Sequence, residues 1–419
     1  MTINSITRLI TTCGAVLVFA AAGLAQSGST RPRRVNPASQ PSPSRAEQSA
    51  PATSDNATAP TANTEPSPRR RSNTTAVNAQ TGSTASAYAL LQQKQYEAAA
   101  RAAKQIAASN PNDSEAWKIA GFAEMNLKQY AEAATDLQRA LDLQRAASQE
   151  DANTVDALAQ AYVLTEKFDR ALPLLVIATT RKGAAAPDAV MLYYRGIAEY
   201  QTGKAAEAER SFNAAVKANP KDAASLYYLG QIAFKSGRLD DSIALLNRAT
   251  LNDARIASAW ALLTTAYLRR AATATVETKA TADYLSAVRA GESLTRIRTD
   301  ADAAALFAQA LIGAKQFARA ATVLEKVTAG DDAKGVTLYL LGVAHSRANN
   351  FPKAIAALER AAGKTPDDVN IYRELGYAYE ISKQYPKALA AYERGAALAP
   401  GDTDFKESVE RVRPAVQKQ

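Results

Sequence analysis

Few residues in this chain are of a type and spacing that could do covalent chemistry. It has one cysteine, Cys13, and one histidine, His345, in 419 residues. That excludes an internal disulfide, a Cys/His zinc cluster and a nucleophile activated by a histidine partner. Gly363-Lys364-Thr365 has the form of the tail of a phosphate-binding loop. That loop needs a glycine five residues earlier, and Leu358 stands there. Two carboxylate pairs, Asp240-Asp241 and Asp367-Asp368, could share acid and base roles in a cleft. Both fall at expected helix starts, where negative charge complements the macrodipole. His345 occupies a register at which sibling segments carry Tyr162, Tyr267 and Tyr379, so a packed structural role is expected of it. Trp117 and Trp260 also share one register and are expected in the core. The chain therefore reads as non-enzymatic, with no cofactor and no metal expected.

The elements that hold these residues recur along the chain. Trp117, Gly121, Tyr130, Ala133, Leu137 and Ala140 set a pattern that returns about every 34 residues. Gly196, Ala208, Phe212, Ala215 and Pro220 match it, as do Leu338, Leu341, Gly342, Phe351, Ala354, Leu358, Ala361 and Pro366. The last copy has Tyr372, Leu375, Gly376, Tyr379, Tyr385, Ala388, Tyr392 and Pro400. Within one copy, Trp117, Ala120, Gly121 and Glu124 lie on one stripe of a helix, and Tyr130, Ala133, Leu137 and Ala140 on one stripe of a second. Glu124 is the odd member, a carboxylate where other copies place tyrosine. Small residues such as Gly121 with Ala133 and Gly376 with Ala388 let the two helices come close. Asp113, Asp151, Asp188, Asp222, Asp300 and Asp368 stand one residue before the first helix of six copies, where an aspartate cap contributes about 1 kcal/mol.

At these residues the sequence resembles the tetratricopeptide repeat, whose pattern is Trp-x2-Leu-Gly-x2-Tyr, then Ala-x3-Phe, then Pro. The resemblance covers residues 80–402. It implies an all-α fold, a right-handed superhelical α-solenoid of about nine helix-turn-helix repeats. Eight good repeats start at Ser114, Ala152, Ala189, Ala223, Ala257, Ala301, Gly335 and Val369, after a degenerate one over 80–113. No repeat can bury its faces alone, so neighbours must stack. Residues 403–419, with Phe405, Val409 and Val412 among charged residues and then Pro414, are expected to form a capping helix and tail. Two departures stand out. Pro173 falls inside an expected second helix, where it should kink the chain. About ten residues too many lie around 268–282, so either the helices lengthen there or a loop protrudes.

The start of the chain has a different character. Arg8 precedes an uncharged run from Leu9 to Ala25 that ends in small residues, the form of an export signal cleaved after Ala25. Cys13 follows Thr11-Thr12 near the beginning of that run, not the end where a lipoprotein cysteine belongs. If the segment were retained, it would be the chain's one membrane attachment. Residues 26–79 hold eight of the 17 prolines and almost no large apolar side chain, the composition of a disordered linker. Seven arginines there face only Glu47, Asp55 and Glu65. The chain beyond carries nearly balanced charge, so no nucleic-acid partner is expected.

On the first helices, repeat positions five, nine and twelve form their own line. The family resemblance implies that this line faces a concave surface where extended or helical peptides bind. It reads Lys118, Phe122 and Met125 in the second repeat, Tyr193, Ile197 and Tyr200 in the fourth, and Tyr227, Gln231 and Phe234 in the fifth; later come Tyr339 with Val343, and Arg373 with Tyr377. These are the candidate partner-binding residues. The fourth and fifth repeats are expected to join theirs into one exposed apolar patch. The clamp by which some family members grip a C-terminal carboxylate is not matched: Lys118 fits, but Phe122 and Ala157 replace its asparagines. The function expected is a protein or peptide scaffold of the cell envelope. The alternative is an accessory factor in envelope assembly or polysaccharide export.

Overall fold

A computed structural model describes residues 83–181 and 188–417. The expected signal segment 1–25 and linker 26–79 lie outside the described residues. Every regular element among the described residues is an α-helix. They form two compact units divided after Gly203. The first holds α1 (Thr84–Gln92), α2 (Tyr96–Ser109), α3 (Ser114–Leu127), α4 (Tyr130–Ala146), α5 (Ala152–Leu164), α6 (Phe168–Thr180) and α7 (Ala189–Gln201). The second holds α8 (Ala205–Ala218), α9 (Ala223–Lys235), α10 (Leu239–Asn252), α11 (Ala257–Thr273), α12 (Glu277–Ile297), α13 (Ala301–Gly313), α14 (Phe317–Glu325), α15 (Gly335–Arg347), α16 (Phe351–Lys364), α17 (Val369–Ile381), α18 (Tyr385–Leu398) and α19 (Thr403–Gln417).

The first helices of all eight good repeats begin at the expected residues. The reason is local. Each of the six aspartates accepts a hydrogen bond from a backbone amide two or three residues on, at 2.8–3.2 Å. That satisfies an amide the helix itself cannot pair. The tight turn from first to second helix needs a left-handed residue, and Lys128, Glu166, Lys315, Asn349 and Lys383 supply it at φ of 58° to 64°. Gly203 and Gly237 do so at φ 79° and 76°, without the steric cost that a side chain brings there.

Small residues set the spacing within a pair. A Cβ on Gly121 would fall 2.5 Å from Leu137 Cγ and 3.3 Å from the Ala133 carbonyl oxygen; one on Gly230 would fall 2.7 Å from Leu246 Cγ. Gly121→Ala should therefore cost about 1 to 3 kcal/mol by overpacking. A urea midpoint followed by Trp117 fluorescence would measure it, and an unchanged midpoint would mean that Leu137 yields freely.

Neighbouring repeats are tied by a recurrent polar contact that joins the ninth residue of a second helix to the eleventh of the next first helix. Tyr162 Oη donates to Gln138 Oε1 at 2.8 Å, and Asn247 Nδ2 donates to Tyr267 Oη at 3.1 Å. Tyr379 Oη donates to Glu359, His345 Nε2 lies 3.3 Å from Glu325 Oε1, and the Lys104 ammonium meets Glu124. The capping helix continues the pattern, with Arg413 at 3.3 Å from Glu393. Glu124 is thus a variant of the same tie, its tyrosine replaced by a carboxylate and its partner by a lysine. His345 is 6% exposed, and burial lowers its pKa, as a packed structural histidine requires. Between α6 and α7 the register holds Val176 and Glu199 instead; Glu199 turns to Arg195 at 2.8 Å, and Val176 with Ile177 is left exposed.

Four expectations change or resolve. Trp117 and Trp260 are half-buried, not core residues; their indole N–H groups donate to the Pro111 and Ala254 carbonyls at 3.0 and 2.9 Å. The ring pins the preceding turn and so stays near the surface. The surplus residues of the sixth repeat lengthen both helices, giving α11 17 residues and α12 21. Arg270 joins them, bonding Asp283 at 2.6 and 2.9 Å and Asp240 at 2.5 Å. Pro173 lies inside α6 as expected. Pro414 does not end the last helix: α19 runs on to Gln417 with Phe405, Val409 and Val412 buried.

Candidate partner-binding surface

The line at positions five, nine and twelve is built by the same register on successive first helices, and its residues do not share one environment. Phe122, Met125, Ile197, Tyr227, Phe234 and Tyr339 are all buried, at 2–7% exposure. Lys118, Tyr193, Tyr200, Gln231 and Tyr377 are half-buried. The expectation of a continuous exposed apolar line is corrected by these values. The physical cause is packing between adjacent repeats. Tyr227 and Phe234 belong to one apolar cluster with Leu226, Ile243, Leu246 and Leu262, and Arg269 of the next first helix lies over the Phe234 ring at 5.3 Å. Tyr339 is likewise part of the larger cluster that runs through the second unit to Val412.

Among the partner candidates, Tyr193, Ile197 and Tyr200 lie together on α7 in the first unit. Tyr227, Gln231 and Phe234 lie on α9 in the second, where Gln231 Nε2 donates to Tyr227 Oη at 3.4 Å. Lys118 stands apart. Its ammonium bonds Glu115 at 2.6 Å and Asp151 at 3.1 Å. Burial pulls its pKa down, but those two carboxylates outweigh it and hold the pKa above the ordinary value. A lysine committed in this way has little charge left for a partner. Tyr377 packs edge-on to Phe351 at 6.3 Å and under Arg347 at 5.8 Å. Arg347 in turn bonds the buried Glu374 at 2.8 Å, and Arg373 bonds Asp402 and Asp404 at 2.5 and 3.2 Å.

Among the described residues no group of His, Cys, Asp and Glu side chains could hold a metal ion, and no helix is long and apolar enough to cross a membrane. What the surface offers is half-exposed phenol, amide and guanidinium groups on apolar ground, suited to recognition. The thirteenth repeat position, where Lys235, Arg269 and Arg347 stand, was missed by the sequence reading. Its signal was available: three basic residues at one register, next to the apolar line.

The sequence profile of the tetratricopeptide repeat matches residues 84–151, 157–209, 193–259 and 339–403, together more than half of the chain. The chain belongs to the tetratricopeptide repeat family. A search of curated protein sequences found no match. Similar solved structures include YrrB, described as a tetratricopeptide repeat protein with an unusual peptide-binding site, at 15% identity over 48% of this chain and 99% of that one, with a TM-score of 0.41. The C-terminal part of a repeat-containing protein from Cytophaga hutchinsonii is 16% identical over 60% and 98%, with a TM-score of 0.46. MamA from Desulfovibrio magneticus RS-1 is 21% identical over 43% and 97%, with a TM-score of 0.38. Likeness at this identity concerns the fold alone. The tetratricopeptide fold is an interaction fold, typically that of non-enzymatic scaffolds, and its helix pairs account for the described chain.

Proposed function

We propose that this tetratricopeptide repeat chain is a non-enzymatic scaffold or adaptor of the cell envelope, binding a protein or an extended peptide on the concave face of its repeats. The observation that carries the reading is the set of half-exposed aromatic and amide side chains on the first-helix line of each unit, Tyr193 and Tyr200 on α7 in the first and Gln231 on α9 and Tyr377 on α17 in the second. Such side chains give contact area at low entropic cost and hydrogen bonds that adapt to a backbone. The buried members of the line, Phe122, Met125, Ile197, Tyr227, Phe234 and Tyr339, support that surface from beneath.

A photo-crosslinking residue at position 231, in chain expressed in its own host, should capture a partner. At position 139, an exposed arginine on α4 outside the line, it should capture none. Capture from 139 alone would sink the reading. The envelope location rests on the apolar run ending at Ala25, with the arginine- and proline-rich stretch as a tether that holds the repeats away from their point of attachment. Intact-mass measurement on exported protein should give a chain beginning at Gln26. A mass that includes residues 1–25 would show an anchor instead.

A further inference from the structure

The inner line of a repeat array can choose among partners by charge, and most of the basic residues on or beside it are already neutralised by this chain. Lys118 is held by Glu115 and Asp151, Arg347 by Glu374, and Arg373 by Asp402 and Asp404. Arg269 differs. It is exposed, and no carboxylate among the described residues pairs with it. Its neighbour Arg270 takes both nearby acids, Asp240 and Asp283. Arg269 is nevertheless placed, because its guanidinium lies 5.3 Å over the ring of Phe234. A cation–π contact of this kind fixes the side chain while leaving its N–H fork open.

The surroundings suit a peptide. Gln231 is half-exposed on α9, its amide directed by the bond to Tyr227. Thr265, one turn before Arg269 on α11, is half-exposed and donates its hydroxyl proton to the Ala261 carbonyl, so it faces a ligand as an acceptor. Lys235 is exposed at the same register on α9 that Arg269 holds on α11. The extra turn of α11 after Arg270 carries the helix beyond the length of the other first helices.

We propose that the face formed by α9 and α11 binds an acidic extended peptide, with Arg269 pairing a carboxylate side chain and Gln231 and Thr265 bonding the peptide backbone. This rests on the reading of the first-helix line as the partner surface. A planar guanidinium held over a ring matches a carboxylate in bidentate fashion, which an ammonium cannot do.

The test uses the whole exported chain and two fluorescein-labelled short peptides, one alternating leucine with glutamate and one alternating leucine with glutamine. Anisotropy should show the acidic probe binding about tenfold more tightly than the neutral one, the scale of one charge-assisted pair, with the advantage fading as salt is raised. Arg269→Gln should bring the two probes level, and Arg269→Lys should restore only part of the difference, because the fork is lost. The thermal midpoint should not move in either variant, since the side chain is exposed. If Arg269→Gln leaves the ratio of the two affinities unchanged, the assignment to Arg269 is wrong. Hydrogen exchange separates that failure from a larger one. Protection of α9 and α11 by both probes, equally and independently of residue 269, would overturn the acidic preference but keep the partner surface. Binding without protection of either helix would overturn both.

Discussion

Lys104→Met is expected to destabilise the first two repeats by about 3 to 5 kcal/mol at pH 8, the cost of stranding a buried charge, and by far less at pH 5. Glu124 is 1% exposed and its carboxylate meets the Lys104 ammonium. The same ammonium lies 3.6 Å from Asp136. Burial pushes the Glu124 carboxyl up to about 7, with the Lys104 hydrogen bond opposing the rise and Asp136 adding to it. Burial raises Asp136 as well, Lys104 opposes that, and Glu132 contributes to the rise. The groups in play are therefore Lys104 on α2, Glu124 on α3, and Asp136 and Glu132 on α4.

The sign follows from the raised value. A carboxyl whose folded pKa lies above its unfolded one contributes stability that is fully present below the unfolded pKa and is lost as pH rises through the folded pKa. For Glu124 that window runs from its ordinary 4.5 to about 7, a loss of about 3 kcal/mol across it at 1.36 kcal/mol per unit. Without Lys104 the ionised form loses its one cation, so the loss at pH 8 deepens. At pH 5 the folded carboxyl holds its proton and hardly feels the change. Urea unfolding at the two pH values, read by Trp117 in a Trp260→Phe background, measures the difference. Adding Glu124→Gln to Lys104→Met should recover most of the stability at pH 8. Equal losses at both pH values would trace the effect to packing of the lysine stem instead.

Phe405→Ala should release the capping helix, at a cost of about 3 to 5 kcal/mol for a fully buried ring. Phe405 is 1% exposed, and its ring occupies the space that Gly395 leaves by having no side chain. The Arg373 guanidinium lies over it at 4.5 Å and is bonded to Asp402 and Asp404 beside it. A 15-residue helix of this composition is marginal by itself, so losing its central contact should let it detach as a unit. Hydrogen exchange over 403–417 should then become fast while α1–α7 keep their protection. Phe405→Leu should hold the helix in place. Retained protection over 403–417 in the alanine variant would mean that Val409, Val412 and the Arg413–Glu393 pair suffice.

Much of the fold was legible because repeat architecture is governed by local and nearest-neighbour terms. The aspartate caps depend on amides two or three residues away, and the helical stripes on residues three and four apart. The close approach at Gly121 depends on a residue in the next helix. These relations repeat with the period of the chain, so every copy confirmed the others. The candidate surface was less legible. Phe234 and Tyr200 sit at the same register and look alike in sequence, yet one is 5% exposed and the other half-buried. The difference lies in what each neighbouring repeat lays over them, such as Arg269 over Phe234.

The sequence by itself determined the all-helical class, the eight helix starts, the cap at Phe405, Val409 and Val412, and the near absence of groups for covalent chemistry. All of these follow from composition or from patterns within a span of one repeat. Tertiary structure alone decided that Glu124 is answered by Lys104, that the surplus of the sixth repeat becomes extra helix secured by Arg270, and that six of the eleven candidate partner residues are buried. Each of those outcomes depends on a side chain supplied by another helix. A stripe along one helix says which face is apolar, but only the packed neighbour decides how much of that face water, or a partner, can still reach.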